Sequence, residues 1–370
     1  MHFLNSTFTE FSQYIKTHNL NIILFGNGAI CKTVLPYVAE QYNFTNRISY
    51  IIDNNPDKQG SIVTFNSISV PVTSIEILEQ LQDDYCVLIT NGDFYSVVSA
   101  LNTVPGCDEV PCFIAAYMLY GRGYDKNLNH VFRDTSNAVI PKIIHYCWFS
   151  GNPIPTALQE CIRSWREQCP DYEIVQWNEH NIDLDKYTYT KEAHELKRWG
   201  FIPDIIRLDL LYEIGGFYFD TDVRIIKNLD PLRYQNAFCG RERAGHVNFG
   251  GGSGAVKGSP VIKKILDFRR NVPFVLSNSK LNTEASGFYE TTPLMEMGLK
   301  LEDVNQQLDG INVYASEFFS PRNYVNGEMI TNQNTFSIHY FSGSWLAGGE
   351  KLREETRKRY YLFKKTLETL

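Results

Sequence analysis

Two aspartates one residue apart, Asp220 and Asp222, end the aromatic run GGFYFDTDV at residues 215–223. Like charges gathered at the end of an apolar segment repel and lose hydration unless a cation compensates them. Carboxylate oxygens suit Mg2+ or Mn2+, ions held by one or two protein carboxylates together with substrate phosphates. The same pair is compatible with a solvated strand end carrying two surface aspartates. A second pair stands upstream, in PDIIRLDLLYEIGG (203–216). Asp204 and Arg207 lie three residues apart, on one helical face, while Ile205, Ile206, Leu208, Leu210 and Leu211 supply the packing side. As a surface ion pair they would contribute little. Next to the Asp220–Asp222 strand, the guanidinium could instead hold a phosphate or a sugar hydroxyl.

These residues need elements to position them. The run 215–223, short, aromatic and bounded by glycines, reads as a buried strand. Alternation puts Phe217, Phe219 and Thr221 on one face and Tyr218, Asp220 and Asp222 on the other, so the carboxylates converge at the strand's end. The helix feeding it opens with Pro203 and stops at Gly215-Gly216. Upstream, IPKIIHYCWF opens an α/β unit, PTALQECIRSWREQCP has helical spacing, YEIVQWN is a strand ending at Asn178, and KEAHELKRWG is a further helix.

An independent α/β pattern precedes this unit. NIILFGNGAICKTVLPYVAEQY reads as strand, glycine turn and helix, and ISYIIDNNPDKQG as a strand ending in Asp53. SIEILEQL is a short helix, YCVLITNGD a third strand and FYSVVSALN another helix. Strands alternating with helices imply a parallel sheet. The expected organisation is a first domain over 1–118, a polar linker rich in Gly and Asn over 119–138, a second domain over 139–347, and a charged helix over 348–370. That helix carries a basic cluster, either a solvated face or a contact for an anionic membrane surface.

Composition narrows the class. A chain of 370 residues, 43% hydrophobic, has material for two domains and a sizeable core. Its net charge of −7 argues against nucleic acid as a partner. The eight cysteines form no Cys-x-x-Cys pair, and several sit in apolar runs such as HYCWF, as reduced buried thiols of a cytoplasmic protein do. MHFLNSTFTEFSQ lacks the basic and apolar regions of a signal peptide. No apolar stretch approaches the 18 or so residues of a membrane span.

IPKIIHYCWF followed by RWGFIPDIIRLDLLYEIGGFYFDTDVRIIKNLDPL resembles the capsular-polysaccharide type of glycosyltransferase family thirty-two, the DXD sugar-binding glycosyltransferases. More distantly it resembles the glucosyltransferase domains of large clostridial toxins. The resemblance runs over roughly 139–347 and is most specific from Asp204 to Leu229. It implies an α/β chain whose second domain has the GT-A fold, with a nucleotide-diphospho-sugar donor (a UDP- or GDP-sugar), Mn2+ or Mg2+, and retention of anomeric configuration. By position it implies that Asp222 is a direct metal ligand and that Asp220 is its partner on the metal side, reaching the donor's ribose, sugar or metal-bound water. It also implies that Asp204 and Arg207 hold the donor sugar and its phosphate side. Trp148 corresponds to the aromatic near the nucleobase, and Asn178 to a base or ribose contact. SIHYFSGSW resembles the family's closing motif and implies Ser344 and Trp345 on the diphosphate, with His339 as a further metal ligand. Asn248, in VNFGGGSGAVKGSP, corresponds to a position lining the sugar or acceptor cleft. His145 is taken as structural. Two departures stand out: the glycine run is longer than the family's, and GFYETTP (287–293) differs from its Thr-Gly-Pro motif.

The implied activity is that of a retaining, metal-dependent hexosyltransferase in bacterial surface (capsular) polysaccharide synthesis. It would act on a polysaccharide or lipid-linked oligosaccharide, in the cytoplasm or at the inner face of the membrane. The residue chemistry agrees, because a departing nucleotide diphosphate gathers negative charge that a cation and an arginine would stabilise. No protein nucleophile stands out, which fits a front-face mechanism; double displacement would need a carboxylate beneath the sugar.

In the first domain, GNGAIC (26–31) follows a strand and opens a helix, and Asp53 lies 25 residues beyond Gly28. That is near the spacing of a ribose-binding acid, with Cys31 in place of the third glycine. The segment resembles the small Rossmann-like domains attached to bacterial sugar-modifying enzymes. Gly26, Gly28 and Asp53 are the candidate nucleotide site, against a ligand-free scaffold or an NAD site. Three rivals remain. A haloacid-dehalogenase-type phosphatase would use Asp220 as nucleophile, but its motif normally opens the domain. A non-catalytic nucleotide-sugar-binding regulator would not need the intact pairs. An NAD-dependent oxidoreductase leaves 139–347 unexplained.

Overall fold

The computed structural model describes residues 2–342 apart from 5, 29, 66–67, 92–93, 116–117, 119–129, 243–245 and 323–328. Ser344, Trp345, the charged segment 348–370 and the first part of the expected linker lie outside the described residues. The chain is mixed α/β, and the described residues fall into two compact units, one within Met1–Gly123 and one within Tyr124–Arg357.

The first unit is a seven-stranded sheet. Its strands are β1 (His2–Phe3), β2 (Asn21–Phe25), β3 (Ile48–Ile52), β4 (Ile62–Phe65), β5 (Ile68–Thr73), β6 (Tyr85–Ile89) and β7 (Pro111–Ile114), in the order β1-β7-β6-β2-β3-β5-β4. Every neighbouring pair is parallel except the edge hairpin β4–β5. The expected strands β2, β3 and β6 form its centre because their runs are predominantly apolar, as strands covered on both faces are. The edge strands escaped the sequence reading: β4 is largely solvent-facing, with Ile62 at 68% exposure, and β1 is two residues long. SIEILEQL forms a 3-10 turn, Ile75–Glu79, instead of an α-helix. The segment after GNG enters helix Leu35–Gln41 through a π turn at Ile30–Val34.

The second unit has a seven-stranded sheet of order β14-β15-β12-β13-β10-β8-β9 and a separate two-stranded sheet, β11–β16. Here β8 is Ile143–Cys147, β9 Glu173–Trp177, β10 Gly216–Tyr218, β11 Val223–Ile225, β12 Ala237–Arg241, β13 Val247–Ala255, β14 Gln306–Leu308, β15 Ile311–Tyr314 and β16 Ser337–His339. Strands β10, β8 and β9 run parallel, while β13 lies antiparallel to β10. Tyr218 packs into a cluster formed with helices Pro203–Glu213 and Pro260–Arg270, whereas Phe217 and Phe219 pack into an aromatic cluster with Trp165, Phe238 and Phe319. The described part of the polar stretch 119–138 is tied to this unit. The Asp134 and Thr135 amides donate to the Tyr234 carbonyl, Gln307 and Asn312 donate to the Asp134 carboxylate, and Val131 and Phe132 pack on the aromatic cluster.

A further expectation is corrected. The strand carrying the paired aspartates ends at Tyr218. The Asp220 amide donates to the Gly250 carbonyl at 2.8 Å, and the Val223 amide closes a turn on the Asp220 carbonyl at 3.0 Å. The chain then leaves the main sheet for β11. A turn, and not strand alternation, brings the two carboxylates together.

Candidate active site

The site lies beyond the carboxyl ends of parallel strands, where open α/β sheets bind ligands. Trp148 follows β8, Asn178 follows β9, and Asp220 stands two residues past β10. Gly215 and Gly216 have φ of +80° and +101°, and a Cβ on Gly216 would sit 2.7 Å from the Ile143 carbonyl oxygen. Only glycine lets the chain turn from helix 203–213 directly into β10.

The candidate metal side is built by β11 and β16. Val223 pairs with His339 across this ladder, which sets the imidazole beside the residue before Val223. His339 Nε2 lies 3.2 Å from Asp222 Oδ1. The Ser342 amide and hydroxyl both donate to Asp222 Oδ2 at 2.7 Å. Helix Thr156–Gln168 holds β11 from behind: the Trp165 indole donates to the Val223 carbonyl, and the Ser164 hydroxyl accepts from the Ile225 amide. Burial works against charge on Asp222, but His339 and Ser342 outweigh it and hold its carboxyl well below the usual range. Burial likewise opposes charge on His339, and Asp222 reverses the balance and raises it. One ligand atom from each of Asp220, Asp222 and His339 falls within 4.8 Å of the others. Two carboxylates and an imidazole are a donor set that fits Mn2+ or Mg2+, with further coordination left for phosphate oxygens.

The other side is built on helix 203–213, whose eight residues from Asp204 to Leu211 are buried. Arg207 Nη2 lies 2.8 Å from Asp204 Oδ1 and 3.8 Å from Asp220 Oδ1, Nη1 lies 3.6 Å from Glu290 Oε1, and Nε donates to the Pro203 carbonyl. Burial disfavours its charge, but Asp220, Glu290 and Asp204 together raise its pKa, so the guanidinium stays charged. Burial pushes Asp204 up to about 6 and Glu290 up to about 7, against the pull of Arg207 in both cases. Arg269 sits behind, its guanidinium 4.1 Å and 3.8 Å from the ring centroids of Tyr189 and Tyr289.

Strand β13 passes beneath both sides. A Cβ on Gly250 would lie 2.0 Å from Asp220 Oδ2 and 2.6 Å from Arg207 Nη1. A Cβ on Gly252 would strike Phe319 at 2.5 Å. The long glycine run is therefore a seat for the charged cluster and for the aromatic cluster. Asn248 bonds the Gly251 amide through Oδ1 and the Glu242 carboxylate through Nδ2, and its Nδ2 is 3.4 Å from His339 Nδ1. Glu242, whose pKa burial raises, is a further carboxylate the sequence reading missed.

Asp204, Arg207, Asp220, Asp222, Asn248 and His339 are thus brought together. Trp148 and Asn178 stand at the same sheet edge with local partners: the Trp148 indole donates to the Asn152 carbonyl, and Asn178 Oδ1 accepts the His180 amide. His145 is a structural group, as expected. The Trp177 indole donates to Nδ1, which leaves Nε2 as the donor to the Gly215 carbonyl in a neutral ring. In the first unit, Gly26 has φ +115° and abuts Asn91, while Gly28 is open. Asp53 accepts the Asn27 amide and Lys58 ammonium on Oδ2 and the Asn55 amide on Oδ1, so its oxygens clasp the protein's own loop. Glu290 and Gly250 are the main residues sequence reasoning missed. Their signals were the departures at GFYETTP and at the glycine run.

Residues 155–239 match the family described as "Glycosyltransferase sugar-binding region containing DXD motif". The chain is similar to inositol phosphoceramide mannosyltransferase 3 of Schizosaccharomyces pombe, 30% identical over 155 residues that cover 40% of this chain and 42% of the yeast protein. Similarity to inositol phosphoceramide mannosyltransferase 1 of the same yeast is 26%, over 37% of this chain and 50% of that protein. The subversion of eukaryotic traffic protein A of Legionella pneumophila is 25% identical over 29% of this chain and 21% of its own. Among solved structures, the PaToxG glycosyltransferase superposes with a TM-score of 0.33 at 19% identity, covering 42% of this chain and 69% of that one. The chain spans half or less of the length of these curated relatives. It resembles DXD glycosyltransferases over the segment that contains Asp204, Arg207, Asp220 and Asp222.

Proposed function

We propose that the protein is a metal-dependent retaining glycosyltransferase. It moves a hexosyl group from a UDP- or GDP-linked sugar to a hydroxyl of a glycan or lipid-linked acceptor. The observation that carries this reading is the convergence of Asp220, Asp222 and His339 beside the Arg207 carboxylate cluster. Asp220, Asp222 and His339 would hold Mn2+ or Mg2+, which when bound counters the charge of the diphosphate leaving group. Arg207, fixed by Asp204, orients the donor's sugar and phosphate side and stays charged as negative charge grows there. The bond between anomeric carbon and phosphate oxygen breaks, and a bond to the acceptor oxygen forms on the same face. The acceptor's proton leaves to the departing phosphate.

The yeast relatives' names favour an inositol-phosphate lipid headgroup as acceptor, whereas the capsule-type resemblance favours a polysaccharide. Product analysis with both acceptors separates the two. We place the work in the cytoplasm, against the membrane's inner face. Eight free, buried cysteines support a reducing compartment, and among the described residues no helix is long and apolar enough to cross a membrane. The transferase unit begins near residue 130, because residues 131–135 are bonded into it.

The test is a panel of nucleotide sugars, GDP-mannose and UDP-glucose first, assayed with Mn2+ for release of nucleotide diphosphate. Mn2+-dependent consumption of one donor, with a raised melting temperature in its presence, is the expected result. A panel in which no donor is consumed or bound overturns the reading.

A further inference from the structure

The geometry points to Glu290 as a positioning residue that fixes Arg207 and Asp220 relative to each other; this deepens the reading above and rests on it. Glu290 belongs to helix Ser286–Met295 and is 1% exposed, beneath Arg207 at 4%. The exposure of the side chains rises in order, from Glu290 at 1% through Arg207 at 5% to Asp220 at 28%. Glu290 is thus the floor of the cluster, and a bound sugar meets the groups above it.

Its two oxygens do different things. Oε2 accepts the Phe249 amide at 3.0 Å and so grips β13. Oε1 faces Arg207 Nη1 at 3.6 Å and has no hydrogen-bond partner. The residue after Phe249 is Gly250, whose carbonyl takes the Asp220 amide. One carboxylate therefore touches both routes into the site: the guanidinium on one side, and the strand that holds the metal-side aspartate on the other. Its helix neighbours Thr291, Thr292, Pro293 and Leu294 are buried and carry no charge. A buried carboxylate with a bare oxygen is unfavourable for folding unless something nearby uses its charge. Packing alone does not call for an acid there. What uses the charge is Arg207, which must stay at one place while Asp204 and Asp220 compete for it.

The test compares wild type with Glu290→Gln, which keeps the volume and an acceptor oxygen for the Phe249 amide but loses the charge facing Arg207. With whichever nucleotide sugar the panel identifies, kcat should fall at least about tenfold while the donor KM changes less than about threefold, the split expected when an interaction is lost only in the transition state. The melting temperature should move by no more than about 4 °C. Because Glu290 acts through Arg207, Glu290→Gln introduced into Arg207→Lys should cost no more than about a further twofold. Losses that multiply in the double variant would mean that Glu290 acts on the substrate itself. Wild-type kcat with a lowered melting temperature would mean packing only. Either result overturns the proposal. Crystal structures of both proteins give an arm independent of turnover. The guanidinium should leave its place in Glu290→Gln while β13 stays, and an unmoved Arg207 overturns the proposal. Absence of donor turnover by the wild type would count against the transferase reading and leave this arm to decide the role of Glu290.

Discussion

Asp53 and Asp220 occupy comparable places in their units, each just past the carboxyl end of a parallel strand, yet their carboxylates meet opposite surroundings. Asp53 follows β3 and is closed by its own chain: the Asn27 and Asn55 amides and the Lys58 ammonium take its oxygens at 2.8–3.0 Å. Asp220 keeps 28% of its side chain exposed and meets Arg207 at 3.8 Å, beyond hydrogen-bond reach. Asp222 and His339 complete a set of three ligand atoms around a common point. Position on the sheet therefore offers a carboxylate to a ligand in both units. The surroundings differ: backbone amides and an ammonium take both oxygens of Asp53, whereas Asp220 faces a guanidinium from beyond hydrogen-bond reach.

The sharpest way to break this comparison is to remove one charge from the open site. Asp222→Asn should lower Mn2+-dependent donor turnover on the order of 10³-fold. It should also lower stability, because the ionised form is the one that His339 and Ser342 favour. Turnover within tenfold of wild type would move the metal side elsewhere. Gly250→Ala comes next. Its Cβ would fall on Asp220 Oδ2 and against Arg207 Nη1, so turnover should drop roughly 10²-fold, the scale of an ångström misplacement. Calorimetry should show weaker Mn2+–nucleotide binding, and unchanged binding would mean the strand simply yields.

The closed site should answer differently. Asp53→Asn should leave donor turnover unchanged and cost about 1–3 kcal/mol of stability, read as a lower melting temperature. A loss of nucleotide binding would instead restore the nucleotide site that GNGAIC and Asp53 suggested. The smallest effect concerns pH. Asp53 is lowered: burial opposes its charge, but the Asn55 amide, Lys58 and the Asn27 amide overcome it. Its contribution is present above the ordinary aspartate value and lost as pH falls through the lowered one. Glu290 is raised to about 7, so its contribution is full below the ordinary glutamate value and lost as pH rises through about 7. Between about pH 5 and pH 8, Glu290→Gln should therefore lose less melting temperature than wild type. Parallel melting curves across that range would remove Glu290 from the account.

Much of this was legible in the residues. Helix 203–213 announced itself by Pro203 and Gly215-Gly216, and its i, i+3 spacing paired Asp204 with Arg207 at 2.8 Å. The apolar runs of β2, β3 and β6 marked the centre of the first sheet, and those of β8 and β9 marked one side of the second. Other parts depended on distant contacts. Alternation holds from Phe217 to Phe219 and then fails, because the Gly250 carbonyl captures the Asp220 amide from a strand thirty residues on. Glu290 reads as one acid in an apolar helix; only packing against Arg207 gives it a role. Edge strands such as β4 carry too little apolar pattern to be seen.

The β11–β16 ladder carries a consequence in time. Val223 and His339 are more than a hundred residues apart in the chain, and three paired positions join them. Closing so long a loop is entropically slow and comes after local helices and neighbouring strands have formed. A chain still emerging from the ribosome already holds Asp204, Arg207, Asp220 and Asp222, but it has no imidazole to set beside Asp222 until β16 is made. Competence for the divalent ion is thus tied to completion of the unit, and in refolding it should trail the burial of Trp165 instead of accompanying it.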